Sequence, residues 1–232
     1  MNRYYNPVRT VEGPGCLSQL PQVLEEMTLP QRKVLVLAWS QQALEHPAVA
    51  ALLGKESGVE AKSLVFTASN PTVEQLFQVW RETTAFAPEV VVAIGGGSVL
   101  DVGKSLCCLY GRELESLQAL REAITDGKLH PAAQWIGVPT TAGTGSEVTC
   151  WATIWDPEQA CKRSLESQEN YAYAALVDPE LALGMPVQLA VSSALDAAAH
   201  AVESYWANHT NAVSRGLALE AIATVMDGID GL

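Results

Sequence analysis

The chain has 232 residues, 48% of them hydrophobic and 17% charged, with a formal net charge of −12. That length admits one large domain or one domain with part of a second, and the composition is that of a soluble globular protein with a real core. The acidic excess disfavours nucleic acid and anionic membranes as partners, but leaves a small anionic ligand open, because backbone amides bind anions locally.

No apolar run approaches the roughly 20 residues that span a bilayer. Met1–Pro7 lacks the apolar stretch of a signal peptide, so a cytoplasmic protein is expected. The five cysteines include no Cys-x-x-Cys pair. They read as free thiols, not as a disulfide framework or a thiolate zinc site.

Gly13-Pro14-Gly15 marks a turn, and a helix is expected from about Cys16 to Met27, broken by Pro30. Lys33–Ala38 reads as a buried strand and Gln41–Leu53 as a helix. Lys62–Thr67 is strand-like. Pro71 then sits early in a helix with apolar Val73, Leu76, Phe77 and Trp80. Glu89–Ile94 is a third strand, Ser98–Tyr110 a helix, Glu113–Ile124 another helix, and Gln134–Val138 a fourth strand. This alternation predicts βαβ units and a parallel sheet. From about residue 185 two helical stretches, Leu189–Trp206 and Asn211–Ile229, follow without a strand. The expected fold is therefore α/β: a parallel-sheet domain over residues 1–184, then the first helices of an all-α domain over 185–232.

Two segments carry ligand-binding chemistry. Val91–Ile94 runs into Gly95-Gly96-Gly97-Ser98 and then a helix, an arrangement that aims free amides at a phosphate. Ser98 and Asp101 fit a capping-box variant at that helix start. The usual G-x-G-x-x-G/A fingerprint fails, because Leu100 occupies the last small position. A tight turn without a ligand is the other reading. The second segment, Pro139–Glu147, gathers Thr140, Thr141, Thr144 and Ser146 with Gly143 and Gly145 at a strand's carboxyl end. Ligands bind at that edge of α/β sheets, although Thr144 and Glu147 also fit a structural capping box. Further on, Asp196 and His200 stand one turn apart on an alanine-rich helix. They are either two donors for Fe(II) or Zn(II) or an ordinary surface pair. Glu203 lies one turn beyond and reads as a non-ligand.

Gly95-Gly96-Gly97-Ser98 with Asp101 and Lys104, Pro139–Thr149, Val177-Asp178-Pro179-Glu180-Leu181 and Asp196–Glu203 together resemble the iron-containing (group III) alcohol dehydrogenase family, in order and spacing, over essentially the whole chain. Tyr5–Val8, Leu117–Ile124 and Glu203–Trp206 are similar to the phosphonoacetaldehyde reductases (hydroxyethylphosphonate dehydrogenases) within it. The resemblance implies a domain binding NAD(H) or NADP(H), with Gly96, Gly97 and Ser98 at the pyrophosphate and Thr140, Thr141 and Thr144 lining the cofactor. It places Lys162 at a ribose hydroxyl and Leu181 and Met185 along the cleft. It also implies a metal held by Asp196, His200 and two later histidines. Hydride then passes between nicotinamide and a small aldehyde, phosphonoacetaldehyde among the candidates, or its alcohol. A homodimer is the further association left open.

Two departures qualify that picture. Family members run well past 232 residues, no later histidine pair is present, and His209 is too near His200 to serve. A fragment, or a natural truncation that is inactive or metal-poor, is expected. After Lys33–Ala38 the chain has Trp39-Ser40, where many members carry an acid that repels a 2′-phosphate, so NADP is not disfavoured. A phosphonate substrate needs cations, for which Arg163 and Arg215 are the candidates. The competing readings are a nucleotide-binding module without catalysis and a lyase scaffold of the dehydroquinate synthase type.

Overall fold

The computed structural model describes residues 4–231. Met1–Arg3, part of the N-terminal stretch discussed above, and Leu232 lie outside the described residues. The strands are β1 (Arg9–Glu12), β2 (Lys33–Ala38), β3 (Glu60–Val65), β4 (Val90–Gly95), β5 (Gln134–Pro139), β6 (Trp151–Asp156), β7 (Cys161–Glu166) and β8 (Ala174–Val177). The α-helices are α1 (Leu20–Glu26), α2 (Gln41–Leu44), α3 (Pro47–Leu53), α4 (Val73–Thr83), α5 (Gly97–Leu109), α6 (Leu117–Asp126), α7 (Val187–Trp206) and α8 (Ala212–Gly228).

Six strands form one sheet in the order β1-β8-β5-β4-β2-β3, and every neighbouring pair is parallel. Successive side chains point to opposite faces, and both faces are covered. Leu35, Leu37, Val91, Ala93 and Trp135 pack on one side, where α4, α5 and α6 contribute. Val34, Val36, Val90, Val92 and Ile136 pack on the other, against residues of α1 and α3. Burial on both faces explains why β2 and β4 read as unbroken apolar runs. The strand order reverses at β2, with β3 on one side and β4 on the other. A crevice at the carboxyl ends of β2 and β4 follows from that reversal.

Several sequence expectations shift. The helix expected at Cys16–Met27 opens as a 3-10 turn, Cys16–Gln19, before α1. The Gln41–Leu53 helix is two helices, because Pro47 starts α3 with His46 as its cap. Pro71 precedes α4, whose cap is Thr72 in a capping box with Gln75. The helix read from Glu113 starts at Leu117, where the Ser116 side chain accepts from the Ala119 amide. Four strands were not expected: β1, β8 and the antiparallel hairpin β6–β7. The turn at Gly95–Ser98 therefore follows the fourth strand in chain order, not the third.

The hairpin is tied to α6 by a buried ion cluster. The Arg121 guanidinium donates to both oxygens of Asp156 at 2.9 Å, and Arg163 donates to the same carboxylate at 2.7 Å. Asp156 is fully buried. Hydrogen bonds from Arg121, and then from Arg163, hold its carboxyl below the usual carboxylate range.

Close packing at Gly103 and open space at Gly184 predict two outcomes. A Cβ on Gly103 would lie 2.8 Å from the Ala93 Cβ, so Gly103→Val should cost about 1–3 kcal/mol by denaturant unfolding. Gly184→Ala, where an added Cβ meets nothing within 4 Å, should stay within about 0.5 kcal/mol. Because the folded state lowers the affinity of Asp156 for its proton, its contribution is present above about pH 4 and lost as pH falls through the folded value. The stability gap between wild type and Asp156→Asn should be widest above about pH 5 and close in stronger acid.

Candidate functional site

A cleft of about 1230 Å³ runs across the carboxyl ends of the sheet. Five of its lining segments follow strands: Trp39 after β2, Phe66–Pro71 after β3, Gly96–Asp101 after β4, Thr140–Thr149 after β5, and Leu181–Leu189 after β8. Trp151, Thr153, Trp155 and Lys162 of the hairpin close one side, and Ser193, Asp196 and His200 of α7 another. Gly96, Gly97, Ser98, Thr140, Thr141, Thr144, Lys162, Leu181, Met185, Asp196 and His200, taken from the sequence as site residues, all line this one cleft.

At the start of α5, Gly96 is the cap and offers no side-chain hydrogen bond to the helix. The first-turn amides of Gly97 and Ser98 meet no protein acceptor among the described residues. This corrects the expected Ser98–Asp101 capping box. Ser98 Oγ instead accepts from the Asn70 amide at 3.1 Å, and Asp101 is engaged by Ser146 and Thr153. The two ligand-binding segments touch each other. A Cβ on Gly97 would lie 2.9 Å from Thr144 Oγ1, and one on Gly96 3.2 Å from Thr141 Oγ1. The glycines are thus required for the threonine segment to approach, and the amides are left free beside it. An uncapped helix start with free amides, walled by hydroxyls, suits a phosphate or pyrophosphate.

The threonine segment has its own turn chemistry. Thr144 Oγ1 accepts from the Ser146 amide at 3.2 Å, and Gly145, at φ 61°, caps a short 3-10 turn, Ser146–Val148, with no side-chain bond. The expected Thr144–Glu147 capping box does not form. Glu147 is largely desolvated, which raises its pKa. Below the segment lies Lys104, fully buried. Its ammonium donates to Ser146 O at 2.9 Å, to Thr149 Oγ1 at 3.0 Å and to Trp151 O. Desolvation lowers the Lys104 pKa, and Asp101 opposes that shift. Asp178, from the Val177–Leu181 motif, anchors the chain opposite: its carboxylate accepts from the Gly15 and Leu17 amides at 3.0 and 3.1 Å.

Lys162 stands on β7 with its ammonium 4.5 Å from the Trp155 ring centre, so it reaches the cleft along an aromatic face. Arg163, adjacent in sequence, turns away. It is held by Asp156, Thr125 and Gln159 and does not line the cleft. Arg215 lies 6.0 Å from the Tyr205 ring centre on the α7–α8 pair and is also absent from the cleft lining. Neither arginine is a substrate clamp within this cleft. Sequence reading did not single out Trp151, Thr153 and Trp155. Their signal was the period-two alternation with Ala152, Ile154 and Asp156, which are buried while Trp151 and Trp155 are exposed.

On α7, His200 Nδ1 and Asp196 Oδ2 are 3.8 Å apart, with side-chain exposures of 54% and 44%. That separation is too long for a hydrogen bond and leaves both side chains free to take another partner. A catalytic zinc site takes three protein donors. Among the described residues no group of three or more His, Cys, Asp or Glu is placed to hold a metal ion. The described residues therefore bring two donors together and do not complete a metal shell.

No helix among the described residues is long and apolar enough to cross a membrane. The profile of the iron-containing alcohol dehydrogenases matches residues 7–179. The chain is 29% identical over 227 residues to an NADPH-dependent butanol dehydrogenase of Clostridium saccharobutylicum, covering 97% of this chain and 57% of that protein. It is 31% identical over 163 residues to a phosphonoacetaldehyde reductase of Streptomyces viridochromogenes, covering 68% of this chain and 41% of that protein. An NADH-dependent butanol dehydrogenase A from Thermotoga maritima superposes with a TM-score of 0.84 at 25% identity, over 99% of this chain and 57% of that one. The chain thus spans between 41% and 57% of the length of these relatives. By sequence profile and by fold, it belongs to the iron-containing alcohol dehydrogenase family.

Proposed function

We propose that this chain is the dinucleotide-binding part of an NAD(P)-linked alcohol dehydrogenase or aldehyde reductase acting on a small aldehyde or its alcohol. Residues 1–184 form the cofactor domain in this reading, and α7 and α8 open a helical domain that bears Asp196 and His200. The observation that carries it is the uncapped start of α5, packed against the threonine segment at the point where the strand order reverses. Nicotinamide, when bound, supplies or accepts hydride at a ring carbon. The chain's own residues do the rest. The amides of Gly97 and Ser98 receive the pyrophosphate, Thr140, Thr141 and Thr144 offer hydroxyls, Lys162 reaches a ribose oxygen, and Leu181 and Met185 wall the cleft. Holding donor and acceptor in one cleft removes much of the entropic barrier to transfer.

Asp196 and His200 are two of the donors that Fe(II) or Zn(II) would use at the substrate end. The incomplete shell favours a second reading, a nucleotide-binding module that does not turn over by itself. Phosphonoacetaldehyde is one candidate substrate, on the strength of the Streptomyces relative. Among the described residues no arginine lines the cleft, and Lys162 is its one lysine or arginine. A phosphonate tail would depend on that lysine here.

Titrating the chain with NADH and NADPH tests the proposal. Both should bind, since no acid follows β2 directly. Gly97→Val, which places methyls against Thr144, should weaken both at least about ten-fold. Saturating reduced cofactor with a panel of small aldehydes, with and without Fe²⁺ or Zn²⁺, then separates the two readings. Metal-dependent turnover supports the dehydrogenase, and binding without turnover supports the module. Absence of cofactor binding contradicts both.

A further inference from the structure

Asp101 is an unexpected neighbour for an anion site. It lies one turn, about 6 Å of helix rise, beyond Gly97, and it lines the same cleft. Ser146 Oγ donates to its Oδ1 at 2.7 Å, and the Thr153 amide donates to its Oδ2 at 2.9 Å. Lys104 Nζ sits 3.4 Å from Oδ1 and is fully buried, whereas the carboxylate is 18% exposed. The other partners of the ammonium are the neutral oxygens of Ser146, Thr149 and Trp151. Asp101 is thus the one carboxylate within 4 Å of this buried cation among the described residues, with Glu147 acting on it from farther away. The helix terminus offers only about half a positive charge, so an unbalanced carboxylate one turn away would oppose a doubly charged pyrophosphate.

We propose that Lys104 is a positioning residue that acts through Asp101, balancing its charge so that the cleft accepts a pyrophosphate. This rests on the nucleotide reading above. Lys104 does not line the cleft, so it touches no ligand and is not itself catalytic. The same ammonium also bonds oxygens of Ser146, Thr149 and Trp151 on the facing segment.

The test compares NADH with adenosine, which lacks phosphate, on wild type, Lys104→Met and the double variant Asp101→Asn/Lys104→Met. Lys104→Met should weaken NADH about ten-fold at low salt, the scale of one unit charge about 6–10 Å away across a partly solvated site. Adenosine should lose less than about two-fold, and the NADH penalty should shrink as salt rises. The double variant, which removes the Asp101–Lys104 pair together, should bind NADH within about three-fold of wild type. Equal losses for both ligands, a salt-independent penalty, or a double variant as weak as Lys104→Met would overturn the proposal. If Lys104→Met does not fold, Lys104→Gln, which keeps a hydrogen-bond donor without the charge, takes its place with the same expected and overturning results. Failure of the wild type to bind NADH removes the nucleotide reading and this inference with it. Wild-type binding with the wrong variant pattern removes this inference alone.

Discussion

Helix α5 lies closer to β4 and to the loop after β5 than ordinary side chains would permit, and the placement of the cleft follows from that approach. Added Cβ atoms at Gly95, Gly97 and Gly103 would sit 2.6, 2.9 and 2.8 Å from Val99, Thr144 and Ala93. Side chains at those positions would push the helix off the sheet. With glycine there, the first turn of α5 rests against the threonine segment and its amides stay open. The strand-order reversal at β2 provides the crevice, and the three glycines determine what faces it.

The same packing leaves charge to be managed. Asp101 and Lys104 stand on the inner face of α5 and reach Ser146, Thr149, Trp151 and Thr153. One buried ion pair therefore serves both walls of the cleft. A second buried cluster, Arg121–Asp156–Arg163, holds the hairpin to α6 and so fixes the wall that bears Trp155 and Lys162. Beyond the sheet, α7 and α8 pack mainly on each other. Ala201 and Ala218 are buried, while Leu195, Trp206, Leu217 and Met226 stay exposed. Asp196 and His200 lie on this less enclosed part of the molecule.

Much of this was legible in the sequence, for identifiable reasons. β2, β4 and β5 are apolar because both sheet faces are covered, and their period with the intervening helices announces a parallel sheet. β1 and β8 escaped notice because each spans only four residues. The hairpin escaped because β7, Cys161–Glu166, is polar and mostly exposed. Gly96–Ser98, the threonine segment and the Asp196–His200 pair were readable as motifs, whereas Lys162 and Met185 came only with the family resemblance; the fold brings all of them to one cleft. Local bonding was misread where two partners competed for the same polar group. Ser98 and Asp101 resemble a cap in sequence, yet tertiary partners (Asn70, Ser146 and Thr153) take both side chains. Arg163 resembled a substrate clamp, but the buried Asp156 carboxylate holds it. Such long-range competition has no local sequence signature.

The central claim is that a dinucleotide pyrophosphate rests on the start of α5 beside the threonine segment. Amide hydrogen exchange of the chain with and without saturating NADH tests it most directly. The account predicts that protection increases at Gly97, Ser98 and the amides of residues 140–144, with little change at the opposite ends of the strands. Saturated cofactor that leaves those amides unprotected, or protects only another surface, would contradict it.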